Sequence, residues 1–231
     1  MFHTIFFVPL YNALIGLTTL FGGSLGLAVI GLTLVVKLIL SPLSHLSIKS
    51  QIEQKKLQPL IDEIKKKYPD QKEQSAKMMD LYKEHKTNPF AGCLLILLQL
   101  PVIIALYRVF LAGATVNPGD LYSFIPAPAT VHGAFLGISM TGRSILLAIL
   151  AGVSQFVQMY LSPSMQQSAT EPDPENKQAV MAASMTKSMK YTMPIMIAVF
   201  AFAVPGAVAL YWVVSNLFMI AQERFVMARN K

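Results

Sequence analysis

The long apolar stretches of this chain hold no acidic residue, cysteine occurs once, and charged residues make up only 13% of the sequence. Each shortage excludes something. Cys93 alone forms no intrachain disulfide, and at the start of an apolar block it reads as a small, buried, inert thiol. A soluble domain carries about twice this charged fraction, which argues against a soluble helical bundle. Apolar blocks without Asp or Glu lack the usual carriers of proton-coupled transport. No HExxH, P-loop or carboxylate pair occurs in those blocks, so neither enzyme activity nor a metal, nucleotide or other cofactor is expected. Gly22-Gly23-Ser24-Leu25-Gly26 fits the G-x-S-x-G pattern, but it lacks a strand-turn-helix context and reads as a flexible loop. The N-terminus has no basic region or small-residue cleavage site, so the first twenty residues are expected in the mature protein.

What is abundant is hydrophobic sequence, 54% of 231 residues, gathered into blocks. A helix of roughly 20 residues crosses a bilayer core, so the chain reads as an all-α integral membrane protein. Residues 1–23 form an interfacial N-terminal segment, with a helix from about Pro9 and a full span as the alternative, and 24–46 the first span. Residues 47–89 are Lys/Glu/Gln-rich, with Ile48, Ile52, Leu57, Leu60, Ile61, Ile64 and Tyr68 as one apolar stripe. Pro69 ends that helix, and Asp70 with Glu73 has the form of a capping box for a second. The pair should fold back as an antiparallel cytoplasmic hairpin. The second span takes 90–112, an extracytoplasmic loop without Lys or Arg 113–142, and the third span 143–161. A cytoplasmic loop follows over 162–190, with Glu171 to Glu175 flexible.

The last apolar block, Met193 to Ala221, would be ~43 Å long as one helix, against a ~30 Å core. Broken at Pro205-Gly206 it gives a short fourth span (191–204), a fifth (205–225) and a cytoplasmic tail (226–231). The positive-inside rule favours the break, because Arg224, Arg229 and Lys231 then share a side with the Lys-rich hairpin. Five spans place the N-terminus outside and the C-terminus in the cytoplasm. The net charge of +7 does not suggest nucleic acid: ten of the nineteen basic residues lie between Lys49 and Lys86, interleaved with seven acids. That is the pattern of a solvated helical face, and no DNA partner is expected.

Lys37 sits mid-way along the first span, where a lysine costs about 2.5–3.5 kcal/mol on insertion scales. Thr33 and Ser41, four residues either side, share its face and complete a polar stripe of the kind that lines a cavity. Gln99, Gln155, Gln158, Trp212, Ser215 and Asn216 add polar groups in other spans, where interhelical hydrogen bonds are the common fate.

The order of these parts resembles the YidC membrane protein insertases. The resemblance rests on Val36-Lys37-Leu38-Ile39-Leu40-Ser41-Pro42-Leu43, the hairpin, Asn88-Pro89-Phe90-Ala91-Gly92-Cys93-Leu94, Gln99-Leu100-Pro101 and Ala105-Leu106-Tyr107. Met193-Pro194, Pro205-Gly206, Leu210-Tyr211-Trp212-Val213-Val214-Ser215-Asn216 and Gln222 complete it. It is similar to the short bacterial five-span form. The resemblance implies five helices around a hydrophilic groove, open to cytoplasm and lipid and closed outside, that inserts nascent membrane proteins without nucleotide hydrolysis. It makes Lys37 the groove charge, with Thr33, Gln155, Trp212 and Ser215 beside it and Ile103 and Phe200 as apolar substrate contacts. Implied partners are nascent membrane-protein substrates and the lipid bilayer, with the Sec translocon and ribosome as candidates and a monomer as the working unit. The implied location is the bacterial plasma membrane. The family usually has arginine at the position of Lys37; because a buried lysine can lose its proton, lysine there predicts a wet groove. The alternative reading is a small polytopic channel or transporter.

Overall fold

The computed structural model describes residues 1–68, 70–85, 87–88, 91–112, 116–163 and 177–229. Pro69, Pro89, the Glu171 to Glu175 run and the last two residues lie outside the described residues. Those described are mainly helical. A π-helical turn (His3–Phe7) leads into α1 (Val8–Leu20), where Pro9 occupies the first turn as its missing N–H allows. Gly22 and Gly23 then take positive φ, at 62° and 90°, and reverse the chain. Ser24 accepts from the Leu27 N–H at 3.4 Å and caps α2 (Leu25–Lys67). The G-x-S-x-G segment is therefore a fixed turn and helix cap, further tied by the His132 N–H donating to the Gly23 carbonyl at 2.8 Å.

The sequence marks a boundary at 46/47 where polarity changes, yet α2 runs unbroken for 43 residues through Pro42 and Pro59. Polarity changes with the solvent, while the backbone hydrogen bonds need not. Helix α3 (Gln71–Glu84) is capped by Asp70, whose carboxylate accepts from the Glu73 N–H at 3.1 Å. It folds back on α2: Ser50 and Gln54 both donate to the Asn88 carbonyl at 2.9 Å. Ile48, Leu57 and Ile61 of the apolar stripe are buried, while Leu60 is exposed.

Beyond the hairpin come α4 (Ala91–Ala112) and a segment holding the short antiparallel strands β1 (Ala134–Phe135) and β2 (Ile138–Ser139). The turn between them puts Leu136 and Gly137 both at positive φ. Helices α5 (Ile145–Leu161), α6 (Lys177–Ala203) and α7 (Gly206–Arg229) follow. Residues 177–190, read from sequence as part of a loop, are the first half of α6. The α6–α7 interruption falls at Val204 and Pro205, since Pro205 cannot donate into a continuing helix.

By length and composition, two helical stretches among the described residues can cross a bilayer, His3–Leu20 and Leu25–Lys67. Gln99–Ala112, Ile145–Leu161 and Lys190–Ala203 are shorter apolar helical stretches. One apolar core joins α1, α2, α4, α5, α6 and α7, through Tyr11, Leu14, Leu25, Leu32, Leu106, Ala151, Ala201 and Leu210.

Candidate functional site

Three helices start from one hub. The Leu25 N–H of α2 reaches the His132 carbonyl at 3.4 Å, while the Gly206 and Ala207 N–H groups of α7 donate to Gly142 and Met140 at 2.8 Å. Ser144, two residues past Gly142, caps α5 by accepting from the Leu147 N–H at 3.3 Å. The hub fits because two glycines leave room for it. A Cβ on Gly26 would collide with the Phe135 ring, and one on Gly206 with the Ser139 carbonyl oxygen. Thus α2, α5 and α7 leave one end of the molecule in the same direction.

Their facing sides carry the polar residues. On α2, Thr33 is fully enclosed, and its hydroxyl donates to the Val29 carbonyl at 2.6 Å. Lys37, one turn on, is only 9% exposed, and its ammonium has no ion pair or hydrogen bond among the described residues. Ser41 is half-buried and meets Gln222 of α7, whose amide nitrogen lies 3.0 Å from the Ser41 carbonyl oxygen and 3.1 Å from its hydroxyl. The polar stripe is therefore divided: one member turned into its own helix, one free, one bonded to a neighbour.

Between α5 and α7 a buried polar seam forms. The Asn216 amide donates to Ser154 at 3.1 Å, and Ser154 donates on to the Ala151 carbonyl at 3.0 Å. One turn further along α5 and two along α7, Gln158 donates to Oε1 of Glu223 at 3.0 Å. Glu223 is 2% exposed, and its Oε2 has no partner among the described residues. Between α4 and α7, Gln99 donates to the Tyr211 hydroxyl at 2.9 Å, and Ser215 adjoins the same hydroxyl.

Of the other residues singled out from sequence, Ser215 is buried. Trp212 and Ile103 pack partly buried against the core. Half-exposed Phe200 meets Trp212 edge-on, with ring centroids 5.4 Å apart. Gln155 is partly exposed on α5 and has no hydrogen bond to Lys37 among the described residues. Sequence reasoning passed over Glu223, because an acid followed by Arg224 reads as the solvated end of a span. It named Gln99 and Gln158 without their partners, since helical periodicity gives a face but not the helix opposite.

The profile of the 60Kd inner membrane protein family matches residues 16–231. A relative from Fusobacterium nucleatum subsp. nucleatum, "Membrane protein insertase YidC", is 33% identical over 94% of this chain and 93% of its own. The protein of that name from Oceanobacillus iheyensis is 34% identical over 98% of this chain and 83% of its own. That of Pasteurella multocida is 36% identical over 87% of this chain, which spans 33% of that longer protein. Among solved structures, an active YidC insertase with its first transmembrane domain resolved superposes with a TM-score of 0.56 at 27% identity. That match covers 85% of this chain and 40% of the solved one. A profile match over most of the chain, with relatives aligned almost end to end, makes this chain a member of the 60Kd inner membrane protein family, alongside the YidC insertases.

Proposed function

We propose that this chain is a membrane protein insertase of the bacterial plasma membrane. Five spans, with the N-terminus outside and the C-terminus in the cytoplasm, enclose a hydrophilic groove in which the Lys37 ammonium receives the polar outer segment of an incoming protein. The observation that carries this reading is Lys37 itself. A cation embedded in an apolar helical bundle, with no counter-ion among the described residues, lacks a structural reason to be there. Acidic groups of a substrate provide one, since a fixed positive charge offsets part of the cost of taking polar chain out of water. No nucleotide is required. Burial of the substrate's own apolar span in lipid supplies the downhill step, and the membrane potential helps move acidic groups outward.

Gln155, Trp212 and Ser215 stand as groove residues in this reading, and Ile103 and Phe200 as apolar contacts, while Thr33, enclosed with its hydroxyl on the Val29 carbonyl, offers no open groove surface. The α2–α3 hairpin provides a cytoplasmic surface for nascent chains, with the Sec translocon and the ribosome as further candidate partners of a working monomer. A channel or transporter is the weaker reading, because the hub strands seat against Gly26 and Gly206 where an outer mouth would have to open. The test is reconstitution of the purified protein into liposomes with a small single-span substrate bearing an acidic outer segment. Insertion well above that into empty liposomes is expected; equal insertion would sink the proposal.

A further inference from the structure

Helix α2 loses a backbone hydrogen bond close to its buried charge. Pro42 has no N–H to give to the Leu38 carbonyl, so a backbone hydrogen bond is missing one turn from Lys37. Ser44 adds local competition by donating to the Leu40 carbonyl at 2.8 Å, a pattern that bends helices. At this point α7 takes hold of α2: the Gln222 amide lies within hydrogen-bond distance of both the carbonyl and the hydroxyl of Ser41. Ser41 lies sixteen residues after Leu25, and Gln222 sixteen after Gly206, so the two helices leave the hub in register. The grip sits roughly 24 Å from the hub, at 1.5 Å per residue.

We propose that Gln222 is a positioning residue for the Lys37 ammonium, fixing the proline-weakened turn of α2 so that the ammonium faces incoming substrate. Four residues separate Lys37 from Ser41, about one helical turn, so a rotation or bend at Ser41 displaces the lysine directly. Two anchor points on one residue fix both the height and the rotation of that turn, which a single hydrogen bond would not. The carbonyl oxygen of the Gln222 amide is buried and has no partner among the described residues, so a second interaction does not account for the residue.

The inference rests on the groove reading, and one set of variants separates the two. Insertion into liposomes is measured for two single-span substrates that differ only in whether the outer segment carries Asp and Glu or neutral residues. Gln222→Met keeps the bulk and removes the donor; it is expected to lower insertion of the acidic substrate about fivefold, the scale of losing two modest hydrogen bonds, and to leave the neutral one nearly unchanged. Ser41→Ala, which removes one of the two contacts, should fall between. In a Lys37→Ala background, Gln222→Met should cause no further loss. Equal loss for both substrates would mean that Gln222 only holds the bundle together, and additive loss with Lys37→Ala would mean that it acts elsewhere; either overturns the proposal. If Lys37→Ala itself leaves the acidic substrate unaffected, the groove reading fails and this inference fails with it.

Discussion

Lys37 keeps 9% of its surface, and its ammonium has no partner among the described residues, so its charge depends on the water that reaches it. At an effective dielectric constant of about 20, an acidic group ~4 Å away is attracted by ~4 kcal/mol before desolvation is counted. Lys37→Arg should therefore insert acidic substrates at least as well as the native chain. Lys37→Ala should lose about tenfold and Lys37→Glu more, measured by the liposome assay, because attraction first vanishes and then reverses. Access can be checked separately. A cysteine at position 37, in a background lacking Cys93, should react with a water-soluble thiol reagent, and an inert thiol there would refute the wet groove. The depth of Lys37 in an apolar run was legible in the sequence. The engagement of Thr33 with the Val29 carbonyl, and of Ser41 with Gln222, was not: both depend on a rotamer or on a helix 181 residues away.

Helix–helix spacing is set by small residues whose role periodicity does not reveal. Gly152 of α5 faces α6 so closely that a Cβ there would lie 2.8 Å from the Ala198 Cβ and 3.2 Å from the Pro194 carbonyl oxygen. Gly152→Leu should cost about 1–3 kcal/mol, read as a lower unfolding temperature in detergent, because backbone on the facing helix cannot step aside. Gly152→Ala should cost less, and Ala198→Gly should recover part of the loss by removing the nearer obstacle. Element positions themselves were largely readable. The turn at Gly22-Gly23, the cap at Asp70 and the interruption at Pro205 follow from local backbone chemistry. The 46/47 boundary and the start of α6 were not, because a change of solvent along a helix alters its side chains and need not end the helix.

At the scale of the whole molecule, the N-terminal stretch His3–Leu20 is long and apolar enough to span. Its hydrogen bonds speak against spanning. Asn12 donates to the Asp120 carbonyl at 2.8 Å and accepts from the Tyr122 N–H at 2.7 Å. The Tyr11 hydroxyl accepts from the Asn117 N–H at 2.7 Å, and Thr19 donates to the Pro126 carbonyl at 3.1 Å. His3 lies 3.4 Å from the Asp120 carboxylate. These attachments extend over residues 3 to 19, about 24 Å of helix, yet all reach the ten-residue stretch 117–126. A helix crossing the bilayer would carry one of its ends away from that loop to the opposite face. One lying along the interface keeps both ends beside it, with Tyr11, Leu14, Ile15 and Thr18 turned toward the core. Single cysteines at Thr4 and Leu20, in a background without Cys93, should therefore both react with a membrane-impermeant reagent added outside, whereas one at Glu84 in the α2–α3 hairpin should react only after the membrane is opened. Protection of Thr4→Cys alone from the outside reagent, with reaction after opening, would make His3–Leu20 a span with the N-terminus inside; protection of Leu20→Cys alone would make it a span with the N-terminus still outside.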